Sequence, residues 1–283
     1  MQALYIHMER TRKIEVMGIV NITDDSYFAE SRCLDGQSVD KAVERTGRLL
    51  EEGADIIDIG ACSTRPGALQ IGPDEEWRRL EPVLRALSGE FPSARISIDT
   101  YWSSVVERAY GLIGSFTVND ISAGEDDPKM LPLVGKLGLP YIAMHKKGTP
   151  GTMQSLCSYP PSHREGLSDV SCAVSDYFDA FALRAKEYGI TDWVMDPGFG
   201  FAKDVEQNWT LMREMDKILK PGHKTLVGVS RKSMIYRMFG ITPEESLPAT
   251  QALHMAALDK GADILRVHDV AEAVRTVRIW SKL

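Results

Sequence analysis

The sequence predicts an α/β fold, a single-domain (β/α)8 TIM barrel spanning residues 1–283, and three observations carry that expectation. Eight short apolar segments rich in Val and Ile alternate with eight helical patterns. These segments read as strands buried on both faces, as in a parallel sheet. Five of them, in ISIDT, FTVND, YIAMHKKG, TLVGVSRKS and DILRVHD, run into polar clusters. A barrel that assembles its site from the C-terminal tips of its strands has that pattern.

The elements follow in order. EVMGIV (15–20) is the first strand, and ITDDSYFAESRCLDGQ is a long loop after it. A helix over 38–52 opens on Ser38 as a cap and stops before Gly53. ADIIDIG (54–60) leads into a second long loop, ACSTRPGALQIG. Pro73 followed by Asp-Glu-Glu is a good first turn for a helix over 73–87. RISIDT (95–100) and SFTVND (115–120) each precede a helical pattern, over 103–110 and 128–137. After PYIAMH (140–145), residues 146–163 hold Gly, Pro and Ser and read as a surface loop before a helix over 164–188. DWVMDP (192–197) leads to a helix over 205–219. KTLVGVS (224–230) leads to a connection over 231–246 and a helix over 247–260. DILRVHD (263–269) leads to a last helix over 270–280. No repeat, low-complexity tract or linker interrupts the series.

Composition sets the bounds. A chain of 283 residues with 43% hydrophobic content fills one large core. A net charge of −7, from 40 acidic and 33 basic residues, argues against a nucleic-acid or anionic-membrane partner. No apolar run approaches the ~18 residues of a membrane span, and the first residues show no apolar signal core. Cys33, Cys62, Cys157 and Cys172 show no CxxC spacing and read as free thiols of a reducing cytoplasm. His7, His163, His223 and His254 show no metal-like spacing.

The strand tips carry the candidate chemistry: Asn21, Asp99, Asn119, Asp196, Lys232, Arg266 and His268. Any one of them is explained as a turn or cap residue; all of them at one barrel mouth read as a site. Asp99, Asn119 and Asp196 suit a flat heterocycle with an amino group beside a ring N–H. Arg266, His268 and the start of the helix near Val270 suit an anion such as phosphate. The other reading of Arg266 is a structural ion pair with an acidic neighbour.

With MGIVNITDDSY, DIGACSTRPGA, SIDTY, VNDIS, MHKKGTP, DPGFGFAK, VGVSRKSMI and ADILRVHDV in this order, the chain resembles the dihydropteroate synthase family over nearly its whole length. The resemblance implies condensation of 6-hydroxymethyl-7,8-dihydropterin diphosphate with p-aminobenzoate to give 7,8-dihydropteroate and pyrophosphate. It implies that Asp99, Asn119 and Asp196 hold the pterin edge with Lys232, while Ile121 and Met144 pack on the ring. Asn21, Arg266 and His268 would hold the diphosphate, with Asn21 also binding Mg2+. Thr64, Arg65 and Pro66 would frame p-aminobenzoate with Phe201, Lys232 and Ser233, and Gly228 joins the substrate-binding set. Lys232, Asp99, Arg266 and Asn21 are the expected catalytic group. A cytoplasmic homodimer is also implied, with the helix face near 247–258 as a surface for it.

Three departures stand out. Loop one reads NITDDSYFAES where the family has Asn-x-Thr-Pro-Asp-Ser-Phe-Ser-Asp-Gly-Gly, so Asp24 takes the Pro position, Ala29 the second Asp and Glu30-Ser31 the Gly pair. Cys62 takes the place of a Glu, and Lys146-Lys147 that of Met-Gln. The lysines read either as a solvated pair or as a positive field near the diphosphate. His145 reads as packed beside the pocket. Competing readings are a methyltetrahydrofolate-type pterin-binding methyltransferase domain, a non-catalytic pterin-binding paralogue, and a barrel aldolase with Lys232 as Schiff-base lysine, its pKa lowered by Arg231.

Overall fold

The computed structural model describes residues 12–22, 36–62, 71–149 and 151–283. Eight parallel strands close into a barrel in sequence order, with the last pairing to the first. They are β1 (Glu15–Asn21), β2 (Ile56–Gly60), β3 (Ile96–Asp99), β4 (Thr117–Asp120), β5 (Tyr141–Met144), β6 (Trp193–Asp196), β7 (Lys224–Val227) and β8 (Ile264–Val267). Among the described residues, nine α-helices lie between and after the strands: α1 (Gly36–Glu51), α2 (Pro73–Glu90), α3 (Ser103–Ile113), α4 (Met130–Leu137), α5 (Asp169–Glu187), α6 (Val205–Glu214), α7 (Ser233–Phe239), α8 (Leu247–Asp259) and α9 (Val270–Trp280).

The apolar segments form strands because the chain has somewhere to bury both of their faces. Met17, Ile56, Ile142, Val194, Leu226 and Ile264 point inward and fill the lower barrel as one cluster. The outward faces pack with the helices in a second, larger core that includes Ile57, Ile59, Val118, Tyr141, Trp193 and Val267. Glu15 closes the N-terminal end, accepting hydrogen bonds from Arg95 and from Lys224 at 2.5 Å. The lower barrel is therefore apolar and sealed by ion pairs, and only the upper end is free for chemistry.

Several boundaries differ from the sequence reading. Most strands are four residues long, because the pairing ends where the polar tips begin. The fifth helix starts at Asp169, not Arg164: Ser168 caps it by accepting from the Ser171 N–H, and Arg164 turns instead to Asp176 and Asp179. The 231–246 connection is not a plain loop, since it contains α7 and a 3-10 turn over Glu244–Ser246. α1 begins two residues ahead of Ser38, which therefore does not cap it. The helix face near 247–258 is exposed at Pro248, Ala252, Ala256 and Asp259, while α8 buries Leu253 and Leu258.

Candidate active site

The strand register brings the predicted tip residues to one level. Asn21 lies beside Gly60, Gly60 beside Asp99, and Asp99 beside Asn119; across the barrel Met144 lies beside Asp196. A Cβ on Gly60 would sit 3.8 Å from the Asn21 Oδ1 and 3.7 Å from the Asp99 Oδ2, so glycine leaves a cradle between two oxygens. Hard oxygen donors facing a small cradle fit Mg2+, which accepts one or two protein oxygens and keeps several waters.

Arg266 sits inside this ring, bound to two acids. Its Nε donates to Asp58 Oδ2 at 2.7 Å and its Nη2 to Asp99 Oδ2 at 2.9 Å. Asp58 also accepts from Ser97 Oγ at 2.6 Å and from the Asn119 amide at 3.1 and 3.2 Å. A carboxyl group with no exposed surface needs partners for its oxygens, and these donors supply them. The network orients Asn119 and Arg266 together, so the ion-pair reading of Arg266 is present in the structure alongside its place at the mouth. Burial pushes the Asp99 carboxyl up to about 7, with Arg266 opposing and Asp58, Asp120 and Asp196 adding to the rise. Asp196 is raised too, by burial, with Lys232 opposing.

Lys232 stands at the start of α7, its ammonium brought down to about 8 by burial, with Asp196 raising it and Arg266 lowering it. The Nζ donates to the Phe199 carbonyl and lies 4.9 Å from the centre of the Phe201 ring. Ser233 is the first residue of α7, and Gly228 lies against Arg266, where an added Cβ would come 3.9 Å from the Arg266 Cβ. Arg231 has no part in lowering Lys232: it forks Asp269 at 2.8 Å twice and donates to the Pro243 and Glu244 carbonyls. His268 accepts or donates at 3.2 Å to Ser230, and burial beside Arg266 brings its ring down to about 4, so it is neutral. An anion there meets a neutral imidazole, not a second cation.

Ile121, Met144 and Tyr101 form a separate apolar cluster on which Cys62, Trp102 and Phe201 pack. This is a flat apolar floor beside the acid ring. Cys62 belongs to it, its Sγ 3.8 Å from the Tyr101 hydroxyl and its thiol pushed up by burial, so it is packing and not a poised nucleophile. The two lysines of the Lys146-Lys147 pair have different surroundings, Lys146 buried and Lys147 half-exposed. Lys146 is buried on Asp126 at 2.7 and 3.0 Å, and Lys147 donates to the Ser158 carbonyl at 2.5 Å and lies over the Tyr159 ring.

Behind the floor the loop 197–203 is held from outside by Lys203. Its Nζ donates to His145 Nδ1 at 2.9 Å and to the carbonyls of Gly198 and Phe201 at 2.9 and 3.1 Å. Burial brings this ammonium down to about 7 and keeps His145 neutral. Two lysines thus bracket one loop, Lys232 on the inner side and Lys203 on the outer. Gly198 is required, because φ is 71° and a Cβ would lie 1.9 Å from the His145 carbonyl oxygen. Under the second strand tip, Glu76 in the first turn of α2 is fully buried, and its carboxyl oxygens meet no well-formed hydrogen bond, with Thr100 the neighbouring hydroxyl. Burial pushes it up to about 8, with Asp99 adding and Thr100 and Arg79 opposing.

Thr64, Arg65 and Pro66, and the loop-one positions Asp24, Ala29, Glu30 and Ser31, lie outside the described residues. The sequence reading missed Asp58, Tyr101, Glu76 and Lys203. Asp58 had a signal: an acid in the middle of an apolar strand must point at partners. Glu76 had none, since an acid in a first helical turn is usually a solvated one.

A family profile described as pterin binding enzyme matches residues 17–268. The dihydropteroate synthase of Escherichia coli (strain K12) is 36% identical over 269 residues, covering 93% of this chain and 89% of that protein. Among solved structures, that of the Yersinia pestis dihydropteroate synthase with a sulfonamide drug complex superposes with a TM-score of 0.85 at 33% identity, covering 96% of this chain and 94% of that one. The dihydropteroate synthase of Thermus thermophilus in complex with 4-aminobenzoate gives 0.82 at 34% identity, covering 97% and 98%.

Proposed function

The chain belongs to the pterin binding enzyme family, and from that premise we propose how its residues divide the dihydropteroate synthase reaction among themselves. The enzyme is a transferase of folate biosynthesis and a sulfonamide target. It joins 6-hydroxymethyl-7,8-dihydropterin diphosphate to p-aminobenzoate and releases pyrophosphate. The observation that carries the residue assignment is the flat apolar floor of Tyr101, Ile121 and Met144 beside a ring of buried acceptors.

The pterin lies on that floor, with its amino and ring N–H edge on Asp99, Asn119 and Asp196 and its other polar atoms on Lys232. A ring without that edge would leave buried acceptors unpaired at roughly 1–3 kcal/mol each, which sets specificity. The diphosphate faces Asn21, Arg266 and neutral His268. Mg2+, held by Asn21 beside Asp99, supplies electrostatic stabilisation of the departing pyrophosphate when bound. As the exocyclic C–O bond breaks, positive charge spreads into the pterin, and the excess of buried carboxylates around Asp99 stabilises it. The p-aminobenzoate nitrogen forms the new C–N bond, pyrophosphate leaves, and the amine proton passes to solvent. Positioning supplies the rest: Phe201, held between Lys203 and Lys232, walls the p-aminobenzoate side together with Ser233, and Thr64, Arg65 and Pro66 are the further residues assigned to that substrate from the sequence. No nucleophile or general base is needed, because an aniline nitrogen is barely basic.

The enzyme works as a cytoplasmic homodimer in this reading. Met238 and Phe239 on α7, 61% and 56% exposed, form an apolar patch of the kind that association covers. Among the described residues no helix is long and apolar enough to cross a membrane.

The test is pyrophosphate release from the pterin diphosphate with Mg2+, with and without p-aminobenzoate. Release that requires p-aminobenzoate and yields dihydropteroate is the expected result. Binding of the pterin diphosphate without turnover would refute the assignment of the second-substrate wall. Lys232→Ala and Asp99→Ala should remove turnover without unfolding the barrel.

A further inference from the structure

On the outside of the barrel, well away from the tip residues in sequence, three metal-ligating side chains of different chemistry meet. Cys172 and Asp176 lie one turn apart on the same face of α5. His163 reaches them from the end of the connection that precedes that helix. One ligand atom from each residue lies within 4.8 Å of the other two. The Cys172 Sγ is 3.5 Å from the His163 Nδ1 and 3.7 Å from the Asp176 Oδ2, and the His163 Nε2 is 3.6 Å from the same Oδ2.

The two spacings from the Cys172 Sγ, to the His163 Nδ1 and to the Asp176 Oδ2, match edges of a coordination tetrahedron. Zinc distances of ~2.3 Å to sulfur and ~2.0–2.1 Å to nitrogen or oxygen place two such ligands about 3.5 Å apart. Asp176 is also prepared for the task. Its Oδ1 is taken by the Arg164 guanidinium, which leaves Oδ2 turned to the cysteine and histidine. Arg164 is itself fixed by Asp179 at 2.7 Å and by Ser175 at 3.0 Å, and Lys220 ties Asp179 at 2.6 Å. Hydrogen bonds of this kind, one step out from the ligand atom, hold a ligand carboxylate in place. Cys172 is 3% exposed, whereas the His163 side chain is 67% exposed, so a cation enters from the solvent side and its fourth position faces water.

We propose that His163 Nδ1, Cys172 Sγ and Asp176 Oδ2 form a site for a borderline-soft divalent cation of the zinc class, separate from the barrel mouth. The mixed sulfur, nitrogen and oxygen set selects against Mg2+ and Ca2+, which take oxygen ligands. Binding displaces the thiol proton to solvent, leaving a thiolate on the metal. The cation would staple the end of the β5–α5 connection to α5. That connection reaches the p-aminobenzoate side, where the Tyr159 hydroxyl donates to the Ala202 carbonyl at 2.9 Å and the Cys157 carbonyl accepts from Gln207 at 2.6 Å.

The test uses the full chain, freed of metal with a chelator and titrated with Co2+ and then Zn2+. The expected result is one equivalent bound per chain. Tetrahedral cobalt bands and a thiolate-to-cobalt charge-transfer band should appear, and Zn2+ should bleach them. Cys172→Ser should abolish the charge-transfer band, while Cys62→Ser and Cys157→Ser keep it. His163→Ala, at an exposed position that does not threaten folding, should weaken Zn2+ binding about tenfold or more. A chain that shows no charge-transfer band, a band that survives Cys172→Ser in a folded protein, or Zn2+ affinity unchanged in His163→Ala would overturn the site. The binding readouts do not depend on turnover, so failure here and failure of the synthase assignment are distinct.

Discussion

Glu76→Gln is the perturbation whose outcome the structure fixes most closely. Glu76 is fully buried on the first turn of α2, with no well-formed hydrogen bond to its carboxyl oxygens, the Thr100 hydroxyl beside it and the Asp99 charge nearby. Burial pushes it from an ordinary 4.5 to about 8 in the folded chain. The native state therefore keeps a proton that the unfolded chain loses above pH ~4.5. Between those limits the unfolded state binds fewer protons, so stability falls as pH rises, by about 1.4 kcal/mol per unit. The stabilising contribution is fully present below pH ~4.5 and is gone above pH ~8. Across the whole window this amounts to at most ~5 kcal/mol. Glutamine fills the same volume without titrating. Its buried amide adds a constant offset, and the other titrating groups are common to both proteins. Urea unfolding of wild type and Glu76→Gln at pH 5.5, 7 and 8.5 should give a stability difference that moves steadily in favour of glutamine, by ~3 kcal/mol or more between the end points. Two parallel pH curves would refute the reasoning, because they would mean that Glu76 is ionised and solvated in the native state.

Three further outcomes are expected. Asp58→Asn places an amide donor against the Arg266 and Asn119 donors and should cost about 3–5 kcal/mol in urea unfolding, as breaking a buried ion pair does; Ser97→Ala, losing one hydrogen bond, should cost only about 0.5–1.5 kcal/mol. Lys203→Met strands the carbonyls of Gly198 and Phe201; steady-state kinetics should show KM for p-aminobenzoate rising more than KM for the pterin diphosphate, with Lys203→Arg recovering part of the loss. Gly198→Ala drives a Cβ into the His145 carbonyl at a positive φ and should cost at least ~3 kcal/mol, seen as a drop in Tm of roughly 6 °C or more.

Much of the barrel was legible because its signals are local. Apolar segments broken by capped, amphipathic stretches specify strands and helices without knowledge of their neighbours, and tip residues such as Asp99 and Asn119 follow from where each apolar run ends. What was not legible depends on register between distant strands. Asp58 makes sense only once β2 is set against β3 and its carboxylate meets Ser97, Asn119 and Arg266, residues 39 to 208 positions away. The same applies to Lys203, whose acceptors come from its own loop and from the end of β5. The Lys146-Lys147 pair left two readings open in sequence; the partners that hold it, Asp126 from the β4–α4 connection and Ser158 and Tyr159 from further along the pair's own loop, show only in the fold. α7 within 231–246 was hidden by its length, since seven residues show barely two turns of periodicity.

The crowding of acids around Arg266 has one more consequence. Asp58, Asp99, Asp120 and Asp196 converge on a volume served by fewer cations, Arg266 and Lys232 with Lys203 behind them. The free enzyme meets that imbalance by holding protons more tightly there, burial and the neighbouring acids raising the Asp99 carboxyl to about 7. A ligand that offers an edge of N–H donors takes over the proton's role and expels it. Binding heat measured by calorimetry should then depend on the ionisation enthalpy of the buffer, and affinity should climb as pH rises through 7. The pocket would act as a proton exchanger whose counter-ion is the substrate.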